Sequence, residues 1–483
     1  MKNYSIWEDT KINIPNNFTE KKEIKTDILI IGGGITGLTL AYFLKDSKEK
    51  VTLIDKSQIA KGVTSKTTAK ITYLQKDIYQ KIKNKKNRKL YYQSQKEAIE
   101  LINKNITENN IECDFKKTPS IIFTNKNKNI KKIVKEYNIL KQYHENPIYI
   151  KDKNIKYGIA VCNTYTFHPL KYLRELINKI NKNTSIYENV LAKNITKEKN
   201  FYKITTNKYP IYAKKVVVAC HYPFFIIPTI IPIKTYVKKE YVNASKIETP
   251  KNYSAINIDN QLHSIRFYKD YIIYGSNDHY TTNLTKQKNS FQKSINDFKS
   301  IFKKEPEYSW INQDIMSNDN IPFIGKIKEN MYLATAYNAW GMTNSTIAAK
   351  IIYDLINKRK NKYTKLFNPK RINTKLIINS TLHSFHYLKS FIIAPFKKNN
   401  PYYVKIKGIT YGIYKDETGM KHKVKLICPH MKCPLIFNKE EKTWDCPCHG
   451  SRYDIDGNII EGPTTKSVNC NEKSNILQKN IDN

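Results

Sequence analysis

Residues 26–56 follow an order of apolar and turn-forming stretches that predicts a βαβ unit. TDILII (26–31) is an apolar run, GGGITG (32–37) turns the chain, and LTLAYFLKD (38–46) places apolar residues at helical spacing. VTLID (51–55) is a second apolar run. A buried strand, a helix and another buried strand in this order are typical of a parallel sheet in an α/β domain.

The rest of the chain carries further helical and strand patterns, and their distribution changes near residue 400. Helices are predicted at 90–104, 167–180 and 343–356. Strands are predicted at 119–124, 214–220, 263–268 and 271–276. A basic linker, with one more helix predicted at 378–396, precedes hairpin-like patterns that begin near residue 400. These patterns predict a mixed α/β region followed by a small all-β domain.

Length and composition predict a folded protein of two or three domains, because 40% of the 483 residues are hydrophobic. No apolar run is long enough to span a bilayer, and the best candidate, FFIIPTIIPI at 224–233, is short and contains two prolines. The first 17 residues lack the apolar core of a signal peptide. We therefore expect a cytoplasmic protein without a transmembrane segment.

The formal net charge of +41 allows two interpretations. A strongly basic chain is typical of a protein that binds nucleic acid or an anionic membrane. The abundance of Lys, Asn, Ile and Tyr also fits a bias towards A/T-rich codons. We favour the codon bias, because no nucleic-acid-binding motif accompanies the charge, and we expect no specific nucleic-acid partner.

Three glycines indicate a dinucleotide-binding turn. Gly32, Gly34 and Gly37 form G-x-G-x-x-G between the predicted strand and helix, and Asp55 ends the next predicted strand. In such a turn the glycines allow a tight bend, a close approach to the diphosphate and close helix packing, while the acidic residue binds ribose hydroxyls. The motif by itself does not separate FAD from NAD.

A cluster of cysteine and histidine near the C-terminus indicates a metal site. Cys428-x-His430 is followed after fifteen residues by Cys446-x-x-His449. Two alternatives follow from this spacing: a tetrahedral zinc site, or a [2Fe–2S] cluster with two thiolates on one iron and two imidazoles on the other. Zinc sites more often begin with C-x-x-C or end with H-x-x-x-H.

Four stretches, 62–72, 167–173, 216–224 and 319–350, resemble the D-amino acid oxidase-like superfamily of FAD-dependent oxidoreductases. The resemblance implies a Rossmann-like α/β FAD domain interrupted by an α+β substrate domain. It places Thr67 and Thr68 near the flavin and Val190 by the adenine. It also places Gly341 and Met342 at the start of a helix that faces the flavin ring. One departure is Ala336, where the superfamily usually has glycine.

The segment 400–470 is similar to the Rieske family of [2Fe–2S] domains. The similarity implies that Cys428 and Cys446 bind one iron, and that His430 and His449 bind the other. It also implies a disulfide between Cys433 and Cys448, and hydroxyl groups of Ser451 and Tyr453 that raise the cluster potential by hydrogen bonds to sulfur. One departure is Lys432, where the family usually has glycine.

The two resemblances imply a division of the chain, and its predicted segments are an N-terminal extension (1–25), the oxidoreductase (26–357), a linker with a helix (358–399), the Rieske domain (400–470) and a tail (471–483). Within the oxidoreductase, FAD binding is predicted at 26–80, 160–220 and 310–357, and the substrate part at 85–155 and 222–310. The order of the domains resembles a bacterial group of FAD-dependent oxidoreductases with a C-terminal Rieske domain.

The predicted function is oxidation of a small amine or amino-acid-like substrate, with single electrons relayed through the cluster to an acceptor or from a donor. Two alternatives are a flavin oxidase whose cluster is a redox sensor or structural element and, ranked last, a basic nucleic-acid-binding protein. No catalytic residue is predicted. His168 and His221 are interpreted as structural or pocket-lining residues. Arg266 is interpreted as a surface arginine, with pairing of a substrate carboxylate as the alternative.

Overall fold

The computed structural model describes residues 1–12, 22–152, 155–180, 183–225, 229–283, 289–372 and 401–470. These residues form two compact units. The first contains the described residues of 1–280 and 289–372, and the second contains 281–283 and 401–470. The helix predicted at 378–396 and the tail at 471–483 lie outside the described residues. No helix in the described ranges combines the length and the apolar composition that a bilayer span requires.

Helices of the first unit include most of those predicted. The predicted helix at 90–104 lies within Lys85–Glu108, and the one at 343–356 lies within Gly341–Ile356. The third begins with Pro169 as its first residue, where a missing N–H costs no hydrogen bond. The α-helices are Ile35–Phe43, Ile78–Lys81, Lys85–Glu108, Ile130–Lys141, Pro169–Asn178, Ile231–Lys234, Ser290–Phe302, Gly341–Ile356 and Thr364–Phe367.

The strands of the first unit include the predicted ones and are numbered in chain order. They are β1 (Ile24–Ile31), β2 (Val51–Ile54), β3 (Lys70–Ile71), β4 (Lys116–Lys117), β5 (Ser120–Thr124), β6 (Ile148–Ile150), β7 (Tyr157–Val161), β8 (Tyr165–Thr166), β9 (Thr184–Tyr187), β10 (Ala192–Lys197), β11 (Tyr202–Thr206), β12 (Ile211–Val218), β13 (Thr235–Lys246), β14 (Ser254–Asn257), β15 (His263–Tyr268), β16 (Tyr271–Tyr280), β17 (Tyr308–Ser317), β18 (Phe323–Lys328) and β19 (Met331–Thr335).

One eight-stranded sheet contains the predicted βαβ unit. Its order is β10-β11-β12-β1-β2-β9, and β19 joins β12 with β18 beside it. β1 runs parallel to both β2 and β12, with Ile31 opposite Ile54 and Val218. The last four residues of β1 are all buried, which is typical of a parallel strand covered on both faces. The predicted Rossmann-like architecture is therefore confirmed.

A second eight-stranded sheet, with the order β17-β13-β16-β15-β14-β5-β7-β6, forms the α+β part. β13 lies between β17 and β16 and is antiparallel to both. On one face of these strands, Val242 and Trp310 belong to the same core cluster as Trp7 and Met342. That face is therefore turned towards the segments predicted to bind the flavin. The helix Ser290–Phe302 covers the opposite face, where its Phe298 packs with residues of β16.

The second unit is small and built from antiparallel strands, as the hairpin patterns predict. Two sheets with the orders β20-β21-β22 and β23-β24-β25-β26 are present, and Trp444 is fully buried between the side chains that form the core. The strands are β20 (Tyr402–Ile406), β21 (Ile409–Lys415), β22 (Lys421–Lys425), β23 (Ile436–Asn438), β24 (Thr443–Asp445), β25 (Arg452–Tyr453) and β26 (Ile459–Glu461).

Candidate functional sites

The glycine-rich turn after β1 contains two positions that leave no room for a side chain. Gly32 has a φ of 115°, and a Cβ there would lie 2.5 Å from the carbonyl oxygen of Ala219. A Cβ on Gly37 would lie 2.0 Å from the carbonyl oxygen of Gly32. At Gly34, a Cβ would meet only Thr64 Oγ1 among the described residues. The backbone at Gly34 is thus open at the N-terminal end of a helix, as approach of a diphosphate requires.

Asp55 holds this turn in place through its carboxylate. Asp55 Oδ2 accepts a hydrogen bond from the amide of Gly33 at 2.8 Å, and Oδ1 accepts one from the amide of Ser57 at 2.8 Å. The carbonyl oxygen of Asp55 accepts from the amide of buried Val190 at 2.7 Å. The structure therefore brings together the two residues that the sequence predicts at the adenosine end of the dinucleotide.

Thr64 is a residue of this site that sequence analysis missed. Its Oγ1 accepts a hydrogen bond from the amide of Ile35 at 3.1 Å, at the first residue of the helix after the glycine turn. Amides at a helix N-terminus are the donors that bind phosphate groups. Nothing in the composition of the stretch 62–72 distinguishes Thr64 from its neighbours.

The backbone around Thr67 and Thr68 is held by side chains from three distant segments. Five consecutive carbonyl groups, Ser65 to Ala69, each accept a hydrogen bond from a side chain. The donors, in that order, are Ser5 Oγ, Trp310 Nε1 at 2.9 Å, Trp7 Nε1 at 2.7 Å, and the Arg266 guanidinium, which contacts both Thr68 and Ala69. We call Ser65–Ala69 the braced segment.

The interpretation of Arg266 as a surface residue was wrong. Only 1% of the surface of Arg266 is exposed, and its guanidinium donates to the carbonyl oxygens of Thr68, Ala69 and Phe167. The guanidinium also lies over the ring of Trp7, with its Cζ 4.9 Å from the ring centre. The carbonyl groups engage Nη1 and Nη2 of the guanidinium, while Nε makes no hydrogen bond with a described residue, so pairing with a substrate carboxylate stays a prediction. The alternation of apolar and polar residues in β15 did not reveal this, because the partners of Arg266 are backbone atoms far away in sequence.

The helix Gly341–Ile356 begins at an open position, because a Cβ on Gly341 would meet no described atom within 4 Å. Met342 is buried, and Thr343 Oγ1 accepts a hydrogen bond from the Gln75 side chain at 3.1 Å. This hydrogen bond joins the start of the helix to Gln75, which follows the braced segment in sequence. In the preceding turn, Ala336 has a φ of 61°, so it adopts the left-handed conformation that glycine adopts without strain.

Neither histidine of the first unit that the sequence marked lies in an open position. His168 is buried and caps the helix Pro169–Asn178 by accepting a hydrogen bond from the amide of Lys171 at 3.3 Å. Its other ring nitrogen lies 3.1 Å from Thr10 Oγ1. His221 Nε2 lies 3.0 Å from the carbonyl oxygen of Gln313. Both arrangements are those of structural residues.

Two loops of the second unit carry the cysteine and histidine cluster, and they close in the same way. The amide of Cys428 donates to the carbonyl of Cys433, and the amide of Lys432 donates to the carbonyl of Cys428. In the second loop the amide of Cys446 donates to Ser451, and that of Gly450 donates to Cys446. Lys432 and Gly450 occupy equivalent positions and both are left-handed, with φ of 60° and 74°. Lysine at 432 therefore preserves the turn.

The four predicted ligands form a pair of thiols and a pair of imidazoles. A hydrogen bond between the two buried thiols lowers the pKa of Cys428 and raises that of Cys446. The rings of His430 and His449 lie 5.1 Å apart. Burial lowers the pKa of His430 to about 4 and that of His449 to about 3, so both imidazoles are neutral. One thiol with a lowered pKa, a second thiol in contact with it and two neutral imidazoles are donors of the kinds that a Rieske cluster uses.

The remaining predicted residues of this site surround the thiols. Cys433 and Cys448 form a disulfide that joins the two loops, as predicted. Tyr453 Oη lies 3.5 Å from Cys428 Sγ, and the Ser451 hydroxyl is a further hydrogen-bonding partner of Cys428. Because two of the four cysteines in the loops are in the disulfide, the metal-binding sulfur atoms are limited to Cys428 and Cys446.

Comparison with known protein families agrees with these geometries. The model of the FAD-dependent oxidoreductase family matches residues 27–355, and the model of the Rieske [2Fe–2S] domain matches residues 392–472. The Bacillus subtilis (strain 168) protein named "Putative Rieske 2Fe-2S iron-sulfur protein YhfW" is 31% identical over 493 residues, which are 96% of this chain and 96% of that protein.

Solved structures share the fold of the first unit. Glycine oxidase from Geobacillus kaustophilus superposes with a TM-score of 0.62 at 12% identity, covering 72% of this chain and 100% of that one. L-proline dehydrogenase from P. horikoshii superposes with a TM-score of 0.58 at 20% identity, covering 72% and 98%. At these identities the similarity concerns the fold alone.

The fold and the two sites define a flavoenzyme that carries an iron–sulfur domain on the same chain. The chain belongs to the family of FAD-dependent oxidoreductases, with a C-terminal Rieske [2Fe–2S] domain. Its cofactors are FAD and a [2Fe–2S] cluster, as the sequence predicts.

Proposed function

We propose that the protein oxidises an amine or amino-acid-like substrate and passes the electrons singly through its Rieske domain to an acceptor in the cytoplasm. FAD supplies two-electron chemistry and a [2Fe–2S] cluster supplies one-electron transfer. Together they allow a two-electron oxidation to be followed by two single-electron transfers. The observation that carries the proposal is that one chain contains both cofactor sites. These are the open glycine turn for the dinucleotide and the two loops with two thiols and two imidazoles for the cluster. The names of the two structural neighbours, an amino-acid oxidase and an amino-acid dehydrogenase, support the substrate class.

In this proposal each predicted residue has a separate task. The amides of the first turn of the helix Ile35–Phe43, other than that of Ile35, which donates to Thr64 Oγ1, bind the diphosphate, and Asp55 accepts hydrogen bonds from the ribose. Cys428 and Cys446 bind one iron, and His430 and His449 bind the other. The neutral state of both imidazoles and the hydrogen bond between the two thiols support this ligand set.

Anaerobic rapid mixing of the full-length protein with a panel of amines and amino acids tests the relay. We expect flavin absorbance to bleach first and the cluster to be reduced in a later phase. In Cys446→Ser, which removes one thiolate, we expect the flavin phase alone. A cluster that stays oxidised in the wild-type protein while the flavin is fully reduced would contradict the relay and favour a sensory or structural cluster.

A further inference from the structure

The second sheet of the first unit carries two polar side chains, Glu240 and Asn312, on the face turned towards the segments predicted to bind the flavin. Residues of β13 and β17 pair in regular antiparallel register, with Val242 opposite Trp310 and Glu240 opposite Asn312. Side chains two residues apart on a strand share a face, so Glu240 and Asn312 lie on the same face as Val242 and Trp310, which pack into the main core. Directly opposed side chains have Cβ atoms about 4.5–5.5 Å apart.

These two side chains have acceptor groups that lack a donor. Asn312 is 6% exposed, and its side-chain nitrogen donates to Asp314 at 3.0 Å, but its Oδ1 accepts no hydrogen bond from the described residues. The half-buried Glu240 carboxylate likewise makes no hydrogen bond or ion pair with any described residue. A buried polar group without a partner is costly, so two neighbouring acceptors indicate a ligand that supplies donors.

The carboxylate of Glu240 has a defined place because of a glycine on the neighbouring strand. A Cβ on Gly275 would lie 2.0 Å from Glu240 Oε1, so only glycine leaves space for the carboxylate there. Burial raises the pKa of Glu240 to about 7. A positive charge placed beside the carboxylate would reverse that effect, because an adjacent opposite charge favours the ionised form.

The lysines near Glu240 differ in how they are engaged. Lys238 pairs with Asp278 at 2.6 Å, and Lys70 donates to Ser264 Oγ at 2.6 Å and to the carbonyl oxygen of Ala255 at 3.1 Å. Lys76 makes no ion pair among the described residues, and burial lowers its pKa, which weakens it as a cation. No hydrogen bond or ion pair joins Glu240 to a described lysine, although the charges of Lys70 and Lys76 act to lower its pKa.

We propose that Glu240 and Asn312 form the subsite that binds the charged ammonium group of the substrate, with the Glu240 carboxylate and Asn312 Oδ1 accepting its N–H groups. This inference rests on the proposed function for its substrate class. It assigns substrate selection to recognition of a cation, because the Nη1 and Nη2 atoms of Arg266 on the same sheet are engaged by backbone carbonyls.

Calorimetric titration of the FAD-loaded full-length protein with three probes of one shape tests the subsite. The probes are tert-butylammonium, uncharged tert-butanol and anionic pivalate. The ammonium probe has no hydrogen on the carbon next to nitrogen, so it binds without being oxidised. We expect wild-type protein to bind it at least tenfold more tightly than either of the others. Preferred binding of pivalate would overturn the proposal, because it would show that the site selects an anion through Lys76 and not a cation through Glu240.

Two variants test the residues independently, and both use the same titration. We expect Glu240→Gln and Asn312→Ala each to weaken binding of tert-butylammonium, by at least tenfold for Glu240→Gln, while binding of tert-butanol stays unchanged. The matched control is Glu248→Gln, at a carboxylate that is 93% exposed and pairs with Lys304. Unchanged ammonium binding in Glu240→Gln would overturn the subsite.

The titration and the reduction of flavin by amines separate the two proposals. If oxidisable amines reduce the flavin with the same KM in wild-type protein and Glu240→Gln, the subsite is wrong and the function stands. If no amine reduces the flavin, but tert-butylammonium binds and Glu240→Gln abolishes binding, the function is wrong and the cation subsite stands.

Discussion

The indole of Trp7 donates its Nε1 proton to the carbonyl oxygen of Thr67 across 2.7 Å, which ties the N-terminal segment to the segment predicted to lie at the flavin. Trp7 is fully buried, and the Arg266 guanidinium that holds the next two carbonyls lies 4.9 Å from its ring. When the carbonyl groups of a segment are all engaged, its amides are held in fixed directions as well. The braced segment is therefore organised before FAD binds.

Trp7→Phe removes the donor to Thr67 and keeps an aromatic ring. Loss of one buried hydrogen bond costs about 1–3 kcal/mol, so we expect the dissociation constant of FAD to rise roughly tenfold. Equilibrium titration of the apoprotein with FAD measures this. Tyr268→Phe is the control, because Tyr268 packs on Trp7 at 4.8 Å while its hydroxyl contacts Asp114. A lower melting temperature with unchanged FAD affinity would limit Trp7 to a structural role.

Tyr453→Phe removes the hydroxyl that lies 3.5 Å from Cys428 Sγ. Hydrogen bonds to cluster sulfur favour the reduced state, so we expect the midpoint potential of the cluster to fall. One hydrogen bond of about 1 kcal/mol corresponds to a shift on the order of 40 mV for a single electron. Redox titration followed by EPR measures it. Tyr414→Phe, on a ring stacked against Phe437 in the same unit, should leave the potential unchanged.

Lys432→Gly should stabilise the second unit. Lys432 has a φ of 60° in a turn whose counterpart in the other loop is Gly450. The left-handed conformation costs a non-glycine residue about 1–2 kcal/mol, and the greater freedom of glycine in the unfolded chain offsets part of the gain. We expect a net increase of about 0.5–1 kcal/mol in the free energy of unfolding, measured by loss of cluster absorbance in denaturant. Destabilisation would show that the lysine side chain makes a compensating contact.

Removal of the disulfide should release the cluster at lower temperature. Replacing Cys433 and Cys448 together by serine frees a loop of 15 residues, for which the expected loss is about 3 kcal/mol. Thermal loss of visible absorbance measures this in oxidised protein. Cys162→Ser, at an exposed free cysteine, is the control and should melt as the wild type does. Equal melting of all three proteins would show that the two loops hold together without the disulfide.

His168 should make the first unit sensitive to acid. Burial lowers the pKa of His168 to about 4, below its ordinary value of 6.5, so its neutral form is favoured in the folded state. Its contribution to stability is complete above pH 6.5 and is lost as the pH falls towards 4, because the unfolded chain takes up a proton there and the folded chain does not. The full shift corresponds to about 3 kcal/mol.

His168→Asn keeps an acceptor at the helix N-cap and removes the titrating ring. We expect the variant to be less stable than wild type at pH 8, and the difference to narrow as the pH approaches 5. Urea unfolding at both values measures this, and His144→Asn, at an exposed histidine, should follow the wild-type dependence. A difference that stays constant with pH would mean that His168 is not the acid-sensitive group.

The βαβ unit and the cluster loops could be predicted because their chemistry depends on neighbours in sequence. Gly32, Gly34 and Gly37 act within one turn, and Cys446 and His449 lie in one loop. Arg266 and Glu240 could not be interpreted in this way. Their surroundings come from pairing between β13, β16 and β17 and from contacts with carbonyls almost 200 residues away, such as that between Arg266 and Thr68. Single-sequence periodicity contains no such information.

The N-terminal segment also determines the order in which the chain completes its fold. The amide of Lys2 donates to the carbonyl of Glu307 at 2.7 Å, and Lys2 forms a parallel β-bridge with Tyr308, the first residue of β17. During synthesis Lys2 must therefore wait for more than 300 later residues before it reaches its final partners. The braced segment is completed only after β17 exists, so an incomplete chain lacks the rigid segment predicted to receive FAD.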